Sequence, residues 1–274
     1  MQPLRIAALQ PSISITLEQL GALDSLVACT KYCVDAVPGL RKSSVRVIHD
    51  SWSANTDEIL AAQPNLILAS VPYRMESLAA ILKAGCAVVT FAPRTLADIY
   101  TDTLVIGRLV DRAEKAELLV SEMQAEIEKI RAQLAKVATR PRVYCEEWGK
   151  PLIHSQPWVA ELVEAAGGIF VGTPAATTDA TTVAATDPDV LLFAWCGAGD
   201  RVPLEKVIAQ RGWENLGAVR KKRVFCINDE YLNTPATALL QGLHAIAAAL
   251  HPELFGGTQG LRSINRAPSD ATSI

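Results

Sequence analysis

The sequence predicts an α/β protein of two lobes, each built on a mainly parallel sheet, joined by one long rigid helix. Three observations lead there. Short, continuously apolar runs alternate with helix-like segments on both sides of the middle of the chain, the mark of parallel strands covered on both faces. A helix-periodic stretch from Ile106 to Val137 is far longer than its neighbours. One pattern also occurs twice: Ala61-Ala62-Gln63-Pro64-Asn65-Leu66-Ile67-Leu68-Ala69 is echoed by Ala184-Ala185-Thr186-Asp187-Pro188-Asp189-Val190-Leu191-Leu192, with one residue inserted before the proline. Each copy reads as a helix end, a Pro turn and a buried strand. With 274 residues, half of them hydrophobic, the chain can fill two ordinary cores.

The first lobe, residues 1–105, opens with a strand from Arg5 to Leu9, a turn at Gln10-Pro11-Ser12 and a short helix ending near Gly21. Strands follow at Leu26 to Cys29 and Val45 to Ile48, with Lys31-Tyr32-Cys33 as a loop between them. A helix over 56–62 leads through Pro64 to a buried strand ending at Ser70. A second helix over 75–84 closes at Gly85, whose freedom to take positive φ suits a C-cap, and Ala87 to Phe91 is the next strand. In the connector, residues 106–138, apolar positions at Ile106, Leu109, Ala113, Ala116, Val120, Met123, Ile127, Ile130, Leu134 and Val137 line one face. At about 1.5 Å per residue it would span roughly 48 Å. A coiled-coil dimer would use the same face, but its dilution by Ala and the complete α/β units on each flank favour a spine within a monomer.

The second lobe, residues 139–255, repeats the grammar. Arg142 to Glu146 is a strand, Trp148 to Trp158 a loop with two prolines, and Val159 to Ala166 a helix closed by Gly167-Gly168. Asp189 to Trp195 is a buried strand, Pro203 to Gln210 a helix, Arg223 to Ile227 a strand and Pro235 to Leu250 a closing helix. The tail, 256–274, is polar and Gly-rich and reads as disordered.

Composition excludes several classes. The net charge is −3, and the one basic cluster, Arg220-Lys221-Lys222-Arg223, precedes a strand as a turn would, so nucleic acid is not an expected partner. No apolar run is long enough to insert in a membrane. Met1-Gln2-Pro3-Leu4 leads straight into a strand without the features of a signal peptide; as the chain stands the expectation is cytoplasmic, and periplasmic if a signal peptide has been removed. The six cysteines show neither C-x-x-C nor zinc spacing and read as reduced, mostly buried thiols. No metal site is expected.

Two similar α/β lobes place a binding site in a cleft between them, at the C-terminal ends of the strands. Aromatic residues are only 5% of the chain, so their placement is informative. Trp52, Tyr73, Trp148, Trp158, Trp195 and Tyr231 all follow strands or sit in the succeeding loops, where flat side chains would suit a large, planar, partly apolar ligand. Trp213 reads as helix packing. No nucleophile elbow, zincin motif or phosphate loop occurs, and Gly197-Ala198-Gly199 lacks the third glycine of a dinucleotide fingerprint. Glu146 and Glu147 are adjacent on a strand and so point to opposite faces, which argues against a shared proton. His244 and His251 read as structural; His49 and His154 sit in cleft-side loops, where an imidazole can ligate a metal or simply be solvated.

The succession Arg5-Ile6-Ala7-Ala8-Leu9 with Pro11-Ser12, Leu20-Gly21-Ala22 and Leu26-Val27-Ala28-Cys29-Thr30 resembles the start of the periplasmic binding proteins whose lobes are joined by one rigid helix. That class serves vitamin B12, haem and iron-siderophore uptake. Glu147-Trp148 with Pro151-Leu152, the stretch from Trp158 to Gly168, Asp187-Pro188-Asp189-Val190, Cys196-Gly197, Tyr231-Leu232-Asn233 and Leu250-His251-Pro252 resemble its cobalamin-binding branch. The resemblance covers residues 5 to about 255. It implies the helical-backbone substrate-binding fold, no catalytic residue or catalytic cofactor, and reversible binding of cobalamin or another corrinoid. The contacts implied are Tyr32, Trp52, Tyr73, Trp148, His154, Trp158, Trp195 and Tyr231, with Asp229 and Asn233 offering polar groups. Relatives dock on an ABC transporter permease through one acid per lobe; Asp57 matches the first, but Thr181 stands at the second position with Asp179 the nearest substitute, so coupling to a transporter is in doubt. Haem or a ferric siderophore bound for an ABC importer is the alternative ligand, and a tetrapyrrole- or metal-handling enzyme using His49 or His154 the alternative class.

Overall fold

The computed structural model describes residues 3–49, 56–70, 79, 81–83 and 85–265. It divides into two compact units, Met1–Glu122 and Met123–Ile274, each with its own sheet.

In the first unit the chain runs through β1 (Ile6–Ala8), α1 (Pro11–Gln19), β2 (Leu26–Thr30), α2 (Lys31–Ala36), β3 (Arg46–Ile48), α3 (Thr56–Leu60), β4 (Leu66–Ser70) and β5 (Ala87–Phe91). The sheet order is β3-β2-β1-β4-β5 and all four pairings are parallel. Strand order reverses between β1 and β4, the place where open α/β sheets hold ligands beyond the strand ends. The apolar runs of β1 and β4 are buried throughout, as a sheet covered on both faces requires. One face carries a core of Ala7, Leu9, Ala28, Ile48, Ile59, Ile67, Ala69 and Ile81. The Lys31-Tyr32-Cys33 stretch, expected as a loop, is the start of α2, because Thr30 caps it by accepting a hydrogen bond from the Cys33 amide at 3.3 Å.

The helix expected from Ile106 to Val137 is two helices, α4 (Leu96–Leu109) and α5 (Ala113–Leu134). A capping box of Thr95 and Asp98 starts α4, and the amides of Arg94 and Thr95 hold the Asp98 carboxyl below the usual range. Asp111, at φ 56°, takes the left-handed conformation, and the Arg112 amide reaches back to the Gly107 carbonyl at 2.7 Å, which closes α4. A Cβ on Gly107 would lie 2.3 Å from that of Ala116, so α4 and α5 approach as only a glycine permits. The apolar face of α5 is buried at Ala116, Val120, Met123, Ile127, Ile130 and Leu134, but its 22 residues span roughly 33 Å, not 48. The boundary between the units falls within this helix.

The second unit continues with β6 (Arg142–Gly149), β7 (Leu152–His154), α6 (Pro157–Ala165), β8 (Ile169–Phe170), β9 (Thr177–Thr178), α7 (Ala180–Ala185), β10 (Val190–Phe193), α8 (Leu204–Arg211), α9 (Gly217–Arg220), β11 (Val224–Ile227), α10 (Glu230–Asn233), α11 (Leu239–Leu250) and β12 (Leu261–Ser263). Its sheet runs β12-β11-β10-β6-β7-β9, with β8 also beside β6. β11, β10, β6 and β8 are parallel, while β7, β9 and β12 add antiparallel edges. Two expectations are corrected. The segment read as a loop from Trp148 is a hairpin: β6 runs on to Gly149 and returns as β7. The tail read as disordered from 256 contributes β12, which pairs with β11.

The sequence echo has a structural meaning. Gln63 and Asp187 both adopt positive φ, at 52° and 43°, immediately before their prolines. The next side chain then latches the first strand of its own sheet: Asn65 Oδ1 accepts from the Arg5 amide at 2.8 Å, and Asp189 Oδ2 from the Arg142 amide at 2.9 Å.

Candidate functional site

The site is built where β6, β10 and β11 of the second unit reach their C-terminal ends. A β-bulge interrupts the β6–β7 pairing between Glu146 and Trp148, and Glu147 is the extra residue. Glu146, before this irregularity, and Glu147, within it, have separate surroundings.

Glu146 is fully buried. Its carboxylate accepts two hydrogen bonds from Arg211, at 2.7 and 2.9 Å, one from the Trp195 indole at 2.7 Å and one from the Tyr144 hydroxyl. Burial, followed by the Glu146 charge, pushes the Tyr144 hydroxyl far up, so it stays a donor. The Arg211 guanidinium lies over the rings of Trp213, Phe193 and Trp195, 4.9 to 6.0 Å from their centroids. Every strong acceptor position of Glu146 is thereby engaged, the condition under which a buried ion pair is tolerated.

Glu147 faces a different cluster. It accepts from the Gln156 amide at 2.7 Å and lies 3.8 Å from the Cys196 sulfur. Asn233 donates to the Ala194 carbonyl at 2.8 Å and to Cys196 at 3.3 Å, while its buried Oδ1 has no hydrogen-bond partner. Asp229 accepts from the amides of Gly197 and Gly199 at 2.7 and 2.8 Å, which fixes the loop after β10. Both glycines have positive φ, 78° and 59°, and turn the chain so that these amides converge on one carboxylate. Burial pushes the carboxyls of Glu147 and Asp229 above their usual range. Burial and the two neighbouring carboxylates push the Cys196 thiol up to about 12, so it is a neutral thiol at physiological pH.

The remaining residues singled out from the sequence fall as follows. Trp195 is half-buried and lies flat on Gly149, where a Cβ would come within 2.5 Å of the indole. Trp148 is exposed and donates to the Lys150 carbonyl. Tyr231 is half-buried against Gly260. Trp158 is buried in α6 and donates to the Leu232 carbonyl at 2.8 Å, so it holds the short helix α10, which carries Tyr231 and Asn233. His154 is no loop residue: it is buried in β7, packed against Tyr144 and Phe170, with Nδ1 unpartnered. Burial holds its imidazole below the usual range. Asp179 is exposed and caps α7, accepting from the amide and hydroxyl of Thr182. In the first unit, Tyr32 is exposed in α2 with the Lys31 ammonium 5.0 Å from its ring, His49 is exposed after β3, and Asp57 is exposed in α3. Trp52 and Tyr73 lie outside the described residues. Gln156 and Arg211 were not singled out from the sequence; the position of Arg211 one residue before Gly212, a helix C-cap at φ 67°, suggests only an end-of-helix cation.

Among the described residues, no group of three or more His, Cys, Asp or Glu side chains is placed to hold a metal ion, and no helix is long and apolar enough to cross a membrane. Residues 6–231 match the family model described as periplasmic binding protein. A cobalamin-binding protein of Halobacterium salinarum is 23% identical over 259 residues, which cover 91% of this chain and 70% of that protein. An uncharacterized ABC transporter substrate-binding lipoprotein of Bacillus subtilis is 22% identical, with 93% and 82% covered. The structure of a periplasmic heme binding protein from Pseudomonas aeruginosa superposes with a TM-score of 0.83 at 18% identity, covering 98% of this chain and 100% of that one, a likeness of fold.

Proposed function

Because this chain belongs to the periplasmic binding protein family, a family of non-catalytic substrate-binding proteins, we propose that it binds a corrinoid reversibly and that the cluster of Glu147, Asn233 and Asp229 receives the ligand's peripheral amides. The observation that carries this reading is the unpartnered, buried Oδ1 of Asn233, whose amide meets the Cys196 sulfur as the half-buried Glu147 does, with the half-buried Asp229 holding the loop that follows. A buried acceptor without a donor costs about 1–3 kcal/mol, a penalty that a ligand N–H removes. Corrinoids carry carboxamides around the ring, which supply such donors. Haem propionates and anionic ferric siderophores carry further acceptors and negative charge, which this group of acceptors repels. Trp195 and the exposed Trp148, close by in the chain to Cys196 and Glu147, supply flat apolar surface for a macrocycle. The Halobacterium relative's name agrees with the same ligand class.

The test is titration with cyanocobalamin, haem and a ferric siderophore, followed by tryptophan quenching and by recovery of unaltered ligand. Saturable quenching by cyanocobalamin at the lowest concentration is the expected result. Tighter binding of haem or siderophore, or chemical turnover of any of the three, overturns the assignment.

A further inference from the structure

The chain beyond α11 turns back onto the loops of the candidate site. β12 adds an antiparallel edge to β11, pairing Leu261 with Ile227 and Arg262 with Cys226, and the Ile264 amide donates to the Val224 carbonyl at 2.9 Å. This register sets the tail against two loops at once. Arg262 is buried, and its guanidinium bonds the loop after β10, 62 and 60 residues earlier in the chain: Nε donates to the Asp200 carbonyl at 2.8 Å and a terminal nitrogen to the Val202 carbonyl. Gly260 meets the loop after β11. Its carbonyl accepts from the Asn228 amide at 2.8 Å, and its lack of a Cβ lets the Tyr231 ring lie against it. Asp229 and Asn233 join the two loops, Asp229 by accepting from the Gly197 and Gly199 amides and Asn233 by donating to the Ala194 carbonyl and the Cys196 sulfur.

We propose that Arg262 is a positioning residue of the ligand site: by holding the Asp200 and Val202 carbonyls from β12, it sets the loop whose glycine amides orient Asp229. This inference rests on the reading that Glu147, Asn233 and Asp229 receive the ligand. Residues 194–203, between β10 and α8, form neither helix nor strand, so bonds from outside the loop decide its course. A guanidinium suits the task. Its Nε and terminal nitrogens are fixed in one plane, so two carbonyls bonded to it are also held relative to each other, which a single ammonium does not achieve. The apolar side of the same loop is anchored by Val202, buried in the core against which Ile264 also packs. A ligand that meets Asp229 and Asn233 then finds them already placed. Without Arg262, binding must also order the loop, and affinity falls accordingly.

The test compares Arg262→Ala, Arg262→Lys and Ile264→Ala in the full chain, by amide hydrogen exchange of the peptide spanning residues 196–202 and by titration with cyanocobalamin. Arg262→Ala removes both carbonyl bonds and should speed exchange in that peptide by about tenfold, with binding weakened by a similar factor. Arg262→Lys keeps the charge but not the fork, and should show both changes at about threefold; it decides the matter if the alanine variant does not fold. Ile264→Ala trims the packing of the same tail without removing either bond, so it should lower the urea midpoint and leave loop exchange and affinity at wild-type values. Unchanged exchange of the 196–202 peptide in the Arg262 variants overturns the proposal, as does an Ile264→Ala variant that weakens binding as much as they do. Wild-type protein that leaves cyanocobalamin unbound refutes the corrinoid reading instead, and the exchange result then decides the positioning role by itself.

Discussion

Arg211→Ala isolates what the buried ion pair contributes to the second unit. The substitution removes both guanidinium bonds to Glu146, at 2.7 and 2.9 Å, and leaves a fully buried carboxylate with only the Tyr144 and Trp195 donors. Breaking one partner of a buried pair costs about 3–5 kcal/mol. Loss of the guanidinium over the Trp213 ring, 4.9 Å away, adds about 0.5–2 kcal/mol. Against a domain stability of about 5–15 kcal/mol, this is enough to bring the unit near its threshold. Urea unfolding followed by tryptophan emission is the suitable assay, because Trp148, Trp158, Trp195 and Trp213, four of the five tryptophans, belong to this unit. The midpoint should fall by an amount equivalent to about 4 kcal/mol, while Glu146→Leu combined with Arg211→Met should recover to within about 2 kcal/mol of wild type, since neither charge is then buried alone. A single variant that loses less than about 1 kcal/mol would show that water reaches Glu146 and that its burial does not carry the expected penalty. A double variant as unstable as the single one would assign the loss to packing and not to charge.

Four further outcomes follow from the same structure. Gly172→Ala forces a side chain at φ 96° and sets its Cβ 2.1 Å from the His154 ring, so it should destabilise the second unit by about 2 kcal/mol or more in urea melts. Thr95→Ala removes the N-cap of α4 and should lower stability of the first unit by about 1 kcal/mol, read by far-UV dichroism because that unit contributes little tryptophan signal. His154 should make the protein less stable in mild acid: its folded pKa is lowered by burial, so below the unfolded value of about 6.5 the unfolded chain binds the proton that the native chain refuses. His154→Gln should flatten the fall in melting temperature between neutral pH and pH 5; Glu147 and Asp229, raised by burial, act with the opposite sign and relieve the native state as pH falls. Asn233→Ala should weaken cyanocobalamin binding by about tenfold, equivalent to 1.4 kcal/mol, in quenching titrations; unchanged affinity would remove Asn233 from the ligand site.

What could be read from the chain beforehand was what repeats or runs locally. Continuous apolar segments such as Leu66–Ser70 and Val190–Phe193 are buried parallel strands, and the Pro-Asx echo marks the matching latches at Asn65 and Asp189. The inward face of α5 also follows the spacing of its apolar residues. Less legible were features that a single residue decides against its average preference. Asp111 enters the left-handed region, a conformation for which aspartate is only modestly suited, and so divides one periodic pattern into two helices. The hairpin at Lys150-Pro151 joins strands in a segment whose prolines read as loop, and His154 moved from a loop to a core with it. In the candidate site, Asp229 and Asn233 were legible as polar groups flanking Tyr231, in a stretch that carries the family resemblance. The partners that define their chemistry were not, because Gly197 and Gly199 approach Asp229 across about 30 residues of chain, and Arg211 reaches Glu146 across 65.

The irregularity at Glu147 also bears on how such a protein can change over generations. Consecutive glutamates have been given separate employments: Glu146 is held in the interior by Arg211, Tyr144 and Trp195, whereas Glu147 meets Gln156 and Cys196 at the strand end. On the proposed ligand reading, substitution at position 147 alters what the strand end recognises without opening the interior network, whereas a change at 146 is felt first in folding. On that reading, ligand selectivity and foldability sit on adjacent codons, so that position 147 can vary while the scaffold stays intact.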